Sequence, residues 1–206
     1  MVIFVKSSNP LYTIYLGKDK YENEELIKYG FPIDIWFHVE NLSSAHVYLR
    51  LPEGVTIDTI PKEMLEECFQ LVKDGSKEGR KKDKVSVCYT PWENLKKTNA
   101  MEVGEVGFYD EKNVRYASNI TKNNDLLKAL KKTMEEKIID YAAEKESYNK
   151  EISNRRKKEL EEEKKKLQEE IKKQKELKKE MRFEYIDEIG QETTNKDDKD
   201  LEDDFW

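Results

Sequence analysis

One tryptophan and two histidines are the residues of this sequence whose types and spacing could do chemistry. Trp36 and His38 alternate along a β-rich segment, so both side chains project from one face of a strand. His46 lies in the next β-rich segment. On an exposed sheet, Trp36 would stack on a base while a histidine contacts phosphate. The alternative is a core tryptophan with two hydrogen-bonded structural histidines, since aromatic residues in strands usually pack inward.

Catalytic and metal-binding interpretations of these residues find little support. Zinc needs three or four ligands, and with only two histidines Cys88 or Asp34 would have to complete the site. Cys68 falls on an apolar helix face and behaves as a small hydrophobic residue. Asp34 and Glu40 could be paired acids for sugar chemistry, but carboxylates at strand ends are common. Without a P-loop, nucleophile-elbow or dinucleotide motif, we expect no enzyme, no metal and no cofactor.

Clustered cations point instead to a polyanionic partner. Five cations lie within eight residues, against two acids, in what we call the basic loop (residues 77–84). They are Lys77, Arg80, Lys81, Lys82 and Lys84. Lys96 and Lys97 lie on the next long connection. If both segments share a face, they form a phosphate-binding edge whose affinity falls steeply with salt; otherwise they are solvated loops.

Charge also divides the chain into three parts. The net charge is −3 over residues 1–120, +5 over 121–182 and −8 over 183–206. Aromatic residues concentrate in the first part, which predicts a globular domain there. We expect a long charged helix over 121–182 and a disordered acidic tail over 183–206.

The cysteine content and the apolar runs indicate the compartment. Cys68 and Cys88 do not form a disulfide framework, which favours a reduced cytoplasmic or nuclear setting. The apolar run at residues 2–5 is too short for a signal peptide. No stretch approaches the ~18–20 apolar residues of a spanning helix. We therefore expect a cytoplasmic and possible nuclear protein with no transmembrane segment.

Periodicity places the candidate residues on an α+β fold with short helices and a mixed sheet. We predict strands at residues 2–6, 12–16, 34–40, 45–51, 85–89, 106–109 and 114–116. The third and fourth of these strands, and likewise the last two, are close enough in sequence to form hairpins. Pro61 begins and Gly75 ends an amphipathic helix, and Asn23 is the predicted cap of a short helix over 24–29.

The predicted long helix begins near Asn124, because no proline or glycine lies between Thr121 and Ile189. Its apolar heptad spacing weakens after Tyr148, so it is a poor zipper. Arg155 and Arg156 within it could run along ribosomal RNA or form a nuclear-import patch, but acidic neighbours neutralise much of their field. The helix could instead pair with a coiled-coil protein partner.

A series of short motifs over residues 2–117 resembles the NFACT-R domain. In order, these are Gly17-Lys18-Asp19, Asn23–Leu26, Asp34–His38, Ser44–Val47, Tyr89-Thr90, Lys96-Lys97, Gly104 and Val106–Tyr109. With the charged helix that follows, the chain is similar to the coiled-coil-domain-containing protein 25 family. The resemblance implies RNA binding, because larger relatives carry this domain in ribosome quality control factors that extend C-terminal tails on stalled large subunits.

Together these observations favour a non-enzymatic factor that binds the ribosome, ribosomal RNA or tRNA. A protein–protein adaptor or a DNA-binding sensor, acting through the same domain and helix, is the alternative. The candidate nucleic-acid-binding residues are Lys18, Trp36, His38, His46, Lys77, Arg80, Lys81, Lys82, Lys84, Lys96, Lys97, Arg155 and Arg156.

Overall fold

The computed structural model describes the backbone of residues 1–197, and the side chains as far as Arg182 except that of Glu180. The chain divides into two compact units, Met1–Tyr148 and the segment from Asn149 onward. Among the described residues, no helix is both long enough and apolar enough to cross a membrane. The end of the predicted acidic tail, residues 198–206, lies outside the described residues.

The first unit is built on a seven-stranded sheet in which every neighbouring pair of strands is antiparallel. The strand order is β8-β5-β3-β4-β2-β1-β9, and β6 and β7 form a separate pair. The strands are β1 Val2–Lys6, β2 Thr13–Gly17, β3 Asp34–Val39, β4 Val47–Arg50, β5 Val85–Pro91, β6 Leu95–Lys96, β7 Gly107–Phe108, β8 Arg115–Ile120 and β9 Glu135–Lys137. The helices are α1 Lys20–Tyr29, α2 Lys62–Asp74, α3 Asn124–Lys132 and α4 Tyr141–Asp197.

Alternation along the strands gives the sheet two different faces. On β3, Phe37 points to the inner face, where α2 and α3 contribute apolar residues to the larger core. Trp36 points to the outer face, where Leu26 of α1 and Tyr141 of α4 join the smaller core. The prediction of an α+β fold is therefore confirmed, and so is the β3–β4 hairpin.

Two local predictions within the first unit are wrong. The predicted hairpin of the last two strands does not form, because β7 pairs with β6 while β8 pairs with β5. The cap of α1 is Asp19, whose carboxylate accepts hydrogen bonds from the backbone amides of Tyr21 and Glu22. Asn23, the predicted cap, is instead buried within the helix.

The prediction of one uninterrupted helix from Asn124 is also wrong, because β9 separates α3 from α4. Thr133 ends α3: its backbone amide bonds to the carbonyl of Leu130, and its hydroxyl accepts a hydrogen bond from the amide of Lys6. The next residues pair along β1, the edge of the sheet. The backbone partners offered by this edge outweigh the helix propensity of the segment.

The first two turns of α4 pack against the outer side of the first unit. Tyr141 donates a hydrogen bond to the Glu22 carboxylate. Lys145 donates to the carbonyl of Gly30 and lies over the Phe31 ring, 5.4 Å from its centroid. From Asn149 onward, α4 belongs to the second unit.

Candidate nucleic-acid interface

Trp36 has no free ring face. Its indole is 2% exposed and stacks on the His38 ring at 5.3 Å, with 4° between the ring planes. The rings of His46 and Phe108 meet it edge-on or nearly so, at 5.3 and 5.8 Å. A base cannot stack on a ring that is enclosed in this way, so Trp36 is a packing residue rather than the expected stacking platform.

The two histidines are held in the neutral form. Burial, followed by the proximity of His38, lowers the pKa of His46 to about 3, although the Gly104 backbone accepts a hydrogen bond from its imidazole. Burial also lowers the pKa of His38. His46 is 2% exposed and uncharged at neutral pH, and both properties disfavour the predicted contact between His46 and a phosphate. His38 keeps a partly exposed ring.

The two cysteines of the first unit are held as protonated thiols. Cys68 and Cys88 are both buried free thiols. Burial raises the pKa of Cys68 well above its ordinary value and that of Cys88 to about 11, so both stay protonated at neutral pH. In the part of the chain that is described, no three histidine, cysteine or acidic residues are grouped to hold a metal.

The basic loop presents five exposed cations on a fixed backbone. No carboxylate in the described part of the chain pairs with Lys77, Arg80, Lys81, Lys82 or Lys84, and all five are exposed. The residue before the loop, Ser76, anchors its start. The buried Ser76 hydroxyl donates to the carbonyl of Ser43 at 2.6 Å and accepts from the amide of Gly79 at 3.0 Å.

Lys73 of α2 holds the other end of the basic loop. Its Nζ donates to the backbone carbonyls of Lys82 at 3.0 Å, Asp83 at 2.8 Å and Ile120 at 2.9 Å. The side chain is 1% exposed. Sequence reasoning missed this residue, because nothing near it in the chain indicates that three carbonyls converge on one ammonium group.

Other predicted cations are already engaged within the protein. Lys97 Nζ binds the Glu24 carboxylate at 2.8 Å and the carbonyls of Glu102 and Glu105 at 2.6 and 2.8 Å. Lys18 pairs with Glu136 at 2.8 Å. In the second unit, Arg155 lies 3.9 Å from Glu151. The side chains of Lys96 and Arg156 are exposed.

The two lysine-bearing segments lie before and after the same strand in the chain. The basic loop ends at Lys84, immediately before β5, and Lys96 follows the end of the same strand. At about 3.3 Å per residue, the seven residues of β5 span roughly 23 Å. Farther along the second segment, Gly104 and Glu105 line a cavity together with Glu40 and Asn41. The combined phosphate-binding edge therefore stays a prediction, and the basic loop is the larger group of exposed cations.

A cavity of about 350 Å³ opens on the outer face of the sheet, and we call it the outer cavity. Its floor is a row of side chains from three adjacent strands: His38 on β3, Cys88 on β5 and Tyr116 on β8. The segment from Gly104 to Phe108 supplies one wall. Tyr116 is 52% exposed. The sequence prediction missed this tyrosine because it assigned residues 114–116 to the wrong strand partner.

Comparison with known proteins places the chain among named relatives. Residues 1–110 match the NFACT protein RNA binding domain. Coiled-coil domain-containing protein 25 of Danio rerio is 54% identical over 156 residues, 75% of each chain. The Mus musculus protein of the same name is 49% identical over 97% of this chain and 98% of its own length. Protein JLP2 of Saccharomyces cerevisiae is 41% identical over 65% of this chain and 67% of its own.

The C-terminal part of the fibronectin/fibrinogen-binding protein from Streptococcus suis shares the fold, with a TM-score of 0.50 and 22% identity. That match covers 62% of this chain but only 47% of the Streptococcus structure. The family relationship rests on the sequence matches, which extend over both units of the chain. The chain belongs to the coiled-coil domain-containing protein 25 family and carries the NFACT protein RNA binding domain at its N-terminal end.

Proposed function

We propose that this protein is a non-enzymatic RNA-binding factor whose basic loop docks on the phosphate backbone of ribosomal RNA. The observation that carries the proposal is the state of the loop. Its five exposed cations have no partner among the carboxylates that the structure describes, and its backbone is anchored by the buried Lys73. The match of residues 1–110 to an RNA-binding domain supports the same partner.

The physics of phosphate binding favours a loop of this kind. Each phosphate neutralised by a lysine or arginine releases counterions, which drives association and makes it sensitive to salt. A loop that is already ordered loses little conformational entropy on binding. The cations of the basic loop can therefore contribute most of their interaction free energy to affinity.

Ribosomes are the proposed cellular target, and the proposed role is in translation or ribosome quality control in the cytoplasm. The support is the resemblance to the NFACT-R domain, which accompanies ribosome quality control modules in larger proteins. Transfer RNA is a second RNA with the same backbone chemistry. Binding through the backbone alone would not distinguish the two, so the ribosome must be tested directly.

The first test is co-sedimentation of the full chain with cytosolic ribosomes over a salt series, with and without RNase. We expect salt-sensitive sedimentation with ribosomal subunits that RNase abolishes. The variant Lys81→Glu/Lys82→Glu should weaken binding about 10- to 100-fold and keep its circular dichroism spectrum, because both side chains are exposed. The matched control is Arg155→Glu/Arg156→Glu, which makes the same charge change on α4.

Three results would count against the proposal. Unchanged sedimentation of the Lys81→Glu/Lys82→Glu variant would exclude the basic loop as the docking surface. A loss of binding confined to the Arg155→Glu/Arg156→Glu variant would move the interface to α4. If the protein were absent from every ribosomal fraction but bound DNA strongly, the DNA-binding alternative would be favoured.

An adaptor function is a second candidate, and exposed apolar residues on α4 favour it. Leu160, Leu167 and Ile171 are 52%, 56% and 44% exposed. Their spacing of seven and four residues places all three at core positions of a heptad repeat, with Lys164 at the core position between Leu160 and Leu167. Sedimentation velocity of the full chain over a concentration series tests whether this short seam pairs with a second copy. If the chain stayed monomeric at every concentration, pairing with a second copy would be excluded, and the adaptor function would require a helix of another protein.

A further inference from the structure

We propose that the outer cavity binds one unstacked base of a single-stranded RNA whose phosphates continue onto the basic loop, and that it prefers bases with an exocyclic amino group. This inference rests on the proposed function, since it assigns the base contact to the same RNA. It names a specificity site where the basic loop alone supplies only contacts that are independent of sequence.

The floor of the outer cavity has the form of a stacking platform. His38, Cys88 and Tyr116 sit side by side on three hydrogen-bonded strands. Unlike the enclosed Trp36, Tyr116 is 52% exposed, so its ring is accessible although it lies within a strand. Flat side chains on neighbouring strands of an open sheet are a recurrent surface for stacking unpaired bases.

Two polar atoms in residues that line the outer cavity are buried without a hydrogen-bond partner among the described residues: Trp36 Nε1 and His46 Nδ1. The indole nitrogen can only donate. His46 is neutral and donates to the Gly104 backbone through its other nitrogen, which leaves Nδ1 as an acceptor. Both atoms are shielded from solvent, so a base in the outer cavity is assigned to the accessible lining side chains and not to these two atoms.

The charge of the outer cavity selects a base over a phosphate. Glu40 and Glu105 line it, and no lysine or arginine of the described residues does. Carboxylates repel phosphate but accept hydrogen bonds from amino groups, as they do from the amino group of cytosine. Adenine, guanine and cytosine carry such a group, whereas uracil does not. The cavity should therefore discriminate against uracil.

The path from the outer cavity to the basic loop is short. Cys88, in the cavity floor, follows Lys84 by four positions, and β5 connects them. At about 3.3 Å per residue, the separation is roughly 13 Å along the strand. A short single-stranded segment spans this distance, so a base in the cavity and phosphates on the loop can belong to one RNA.

The test uses the full chain and short single-stranded homopolymers of adenosine, cytidine and uridine, with binding followed by fluorescence anisotropy over a salt series. We expect wild-type protein to bind the adenosine and cytidine polymers about tenfold more tightly than the uridine polymer. Tyr116→Ala should reduce the first two affinities about tenfold without changing the salt dependence. Tyr21→Ala removes a tyrosine outside the cavity that is 66% exposed, against 52% for Tyr116, and is the control.

A second variant tests the preference itself and does not depend on the packing of Tyr116. Glu40→Gln keeps the size of the side chain but removes its charge, so the advantage of cytidine over uridine should shrink severalfold. Equal binding of all three polymers by the wild type, or unchanged affinity in Tyr116→Ala, would overturn the proposed base site. If RNA binding were still sensitive to salt in that case, the proposed function would remain. Binding to none of the polymers or to ribosomes would instead remove the proposed function.

Discussion

Two loops flank strand β5, and both are rich in lysine in the sequence. Before the strand, the five cations of the basic loop face solvent, and a lysine from elsewhere, Lys73, holds their backbone. After the strand, Lys97 holds its own loop, residues 97–105, by binding the carbonyls of Glu102 and Glu105 together with the Glu24 carboxylate. We call this second segment the Lys97 loop.

The comparison shows that the partners of a lysine, more than its position in a basic run, decide its role. A lysine that binds backbone carbonyls is committed to the fold, because releasing it would leave those acceptors unpaired. A lysine that nothing binds is available to phosphate. Lys73 and Lys97 are thus alike in role although they are dissimilar in sequence context, and Lys97 differs from Lys81 although both occur in lysine-rich loops.

The largest effect should come from removing the anchor of the basic loop. Lys73→Met keeps the apolar stem but leaves three carbonyls without their charged donor. We expect a loss of about 3–4 kcal/mol in the free energy of unfolding and weaker RNA binding, because the loop would no longer be ordered. Urea unfolding followed by circular dichroism measures the first effect and anisotropy the second.

Lys84→Met is the matched control for Lys73→Met. It removes the same charge from an exposed position at the end of the same loop. Its unfolding free energy should stay within about 0.5 kcal/mol of the wild type. If the two variants were equally stable, the three carbonyl contacts of Lys73 would contribute nothing, and the distinction between committed and available lysines would fail.

Acid should destabilise the side of the molecule that holds the Lys97 loop. His46 contacts Gly104 in that loop, and its pKa of about 3 lies below the ordinary value of 6.5. The unfolded chain therefore binds the proton first as pH falls, and stability is lost between pH 6.5 and 3. At pH 4.5 the loss from His46 should be roughly 2.5 kcal/mol, and the lowered pKa of His38 acts in the same direction.

Urea unfolding at pH 7 and pH 4.5 measures this effect, and a variant separates it from the titration of carboxylates. His46→Gln cannot be protonated in this range, so its stability should fall less between the two pH values than that of the wild type. Parallel declines in the two proteins would mean that His46 is not held neutral by the fold.

The sequence predicted those parts of the fold that depend on local patterns. Alternation identified β3 and β4, and Pro61 with Gly75 bounded α2 closely. The sequence-based prediction failed where a partner that is distant in the chain decides the secondary structure. Residues 133–140 leave the helix because the edge of β1 offers them hydrogen bonds, and no local pattern records that edge.

The same reasoning explains which parts of the candidate site were found. A run of cations is visible in any sequence, so the basic loop was identified. Tyr116 was missed because its place in the outer cavity requires β8 to pair with β5. Trp36 was singled out for its type, but its neighbours His38, His46 and Phe108 leave no ring face accessible.

A smaller loss of stability is expected when the Lys97 loop loses its own lysine. Lys97→Met removes the ion pair with Glu24 and two bonds to carbonyls. The Lys97 and Glu24 side chains are both about one-quarter exposed, so water replaces part of the lost interaction. We expect the free energy of unfolding to fall by about 1–2 kcal/mol. Urea unfolding measures this loss. Lys96→Met, at the adjacent exposed position, is the control, and equal stability of the two variants would contradict the assignment.

The smallest effect on stability should come from an available cation, although its effect on binding is specific. Lys81→Met removes an exposed side chain with no ion-pair partner in the described part of the chain, so unfolding should change by less than about 0.5 kcal/mol. The dependence of log affinity on log salt should become shallower by about 1, because one phosphate contact is lost. Anisotropy titrations over a salt series measure that slope. Because Lys97→Met should leave the slope unchanged, two equal slopes would show that Lys81 does not contact phosphate.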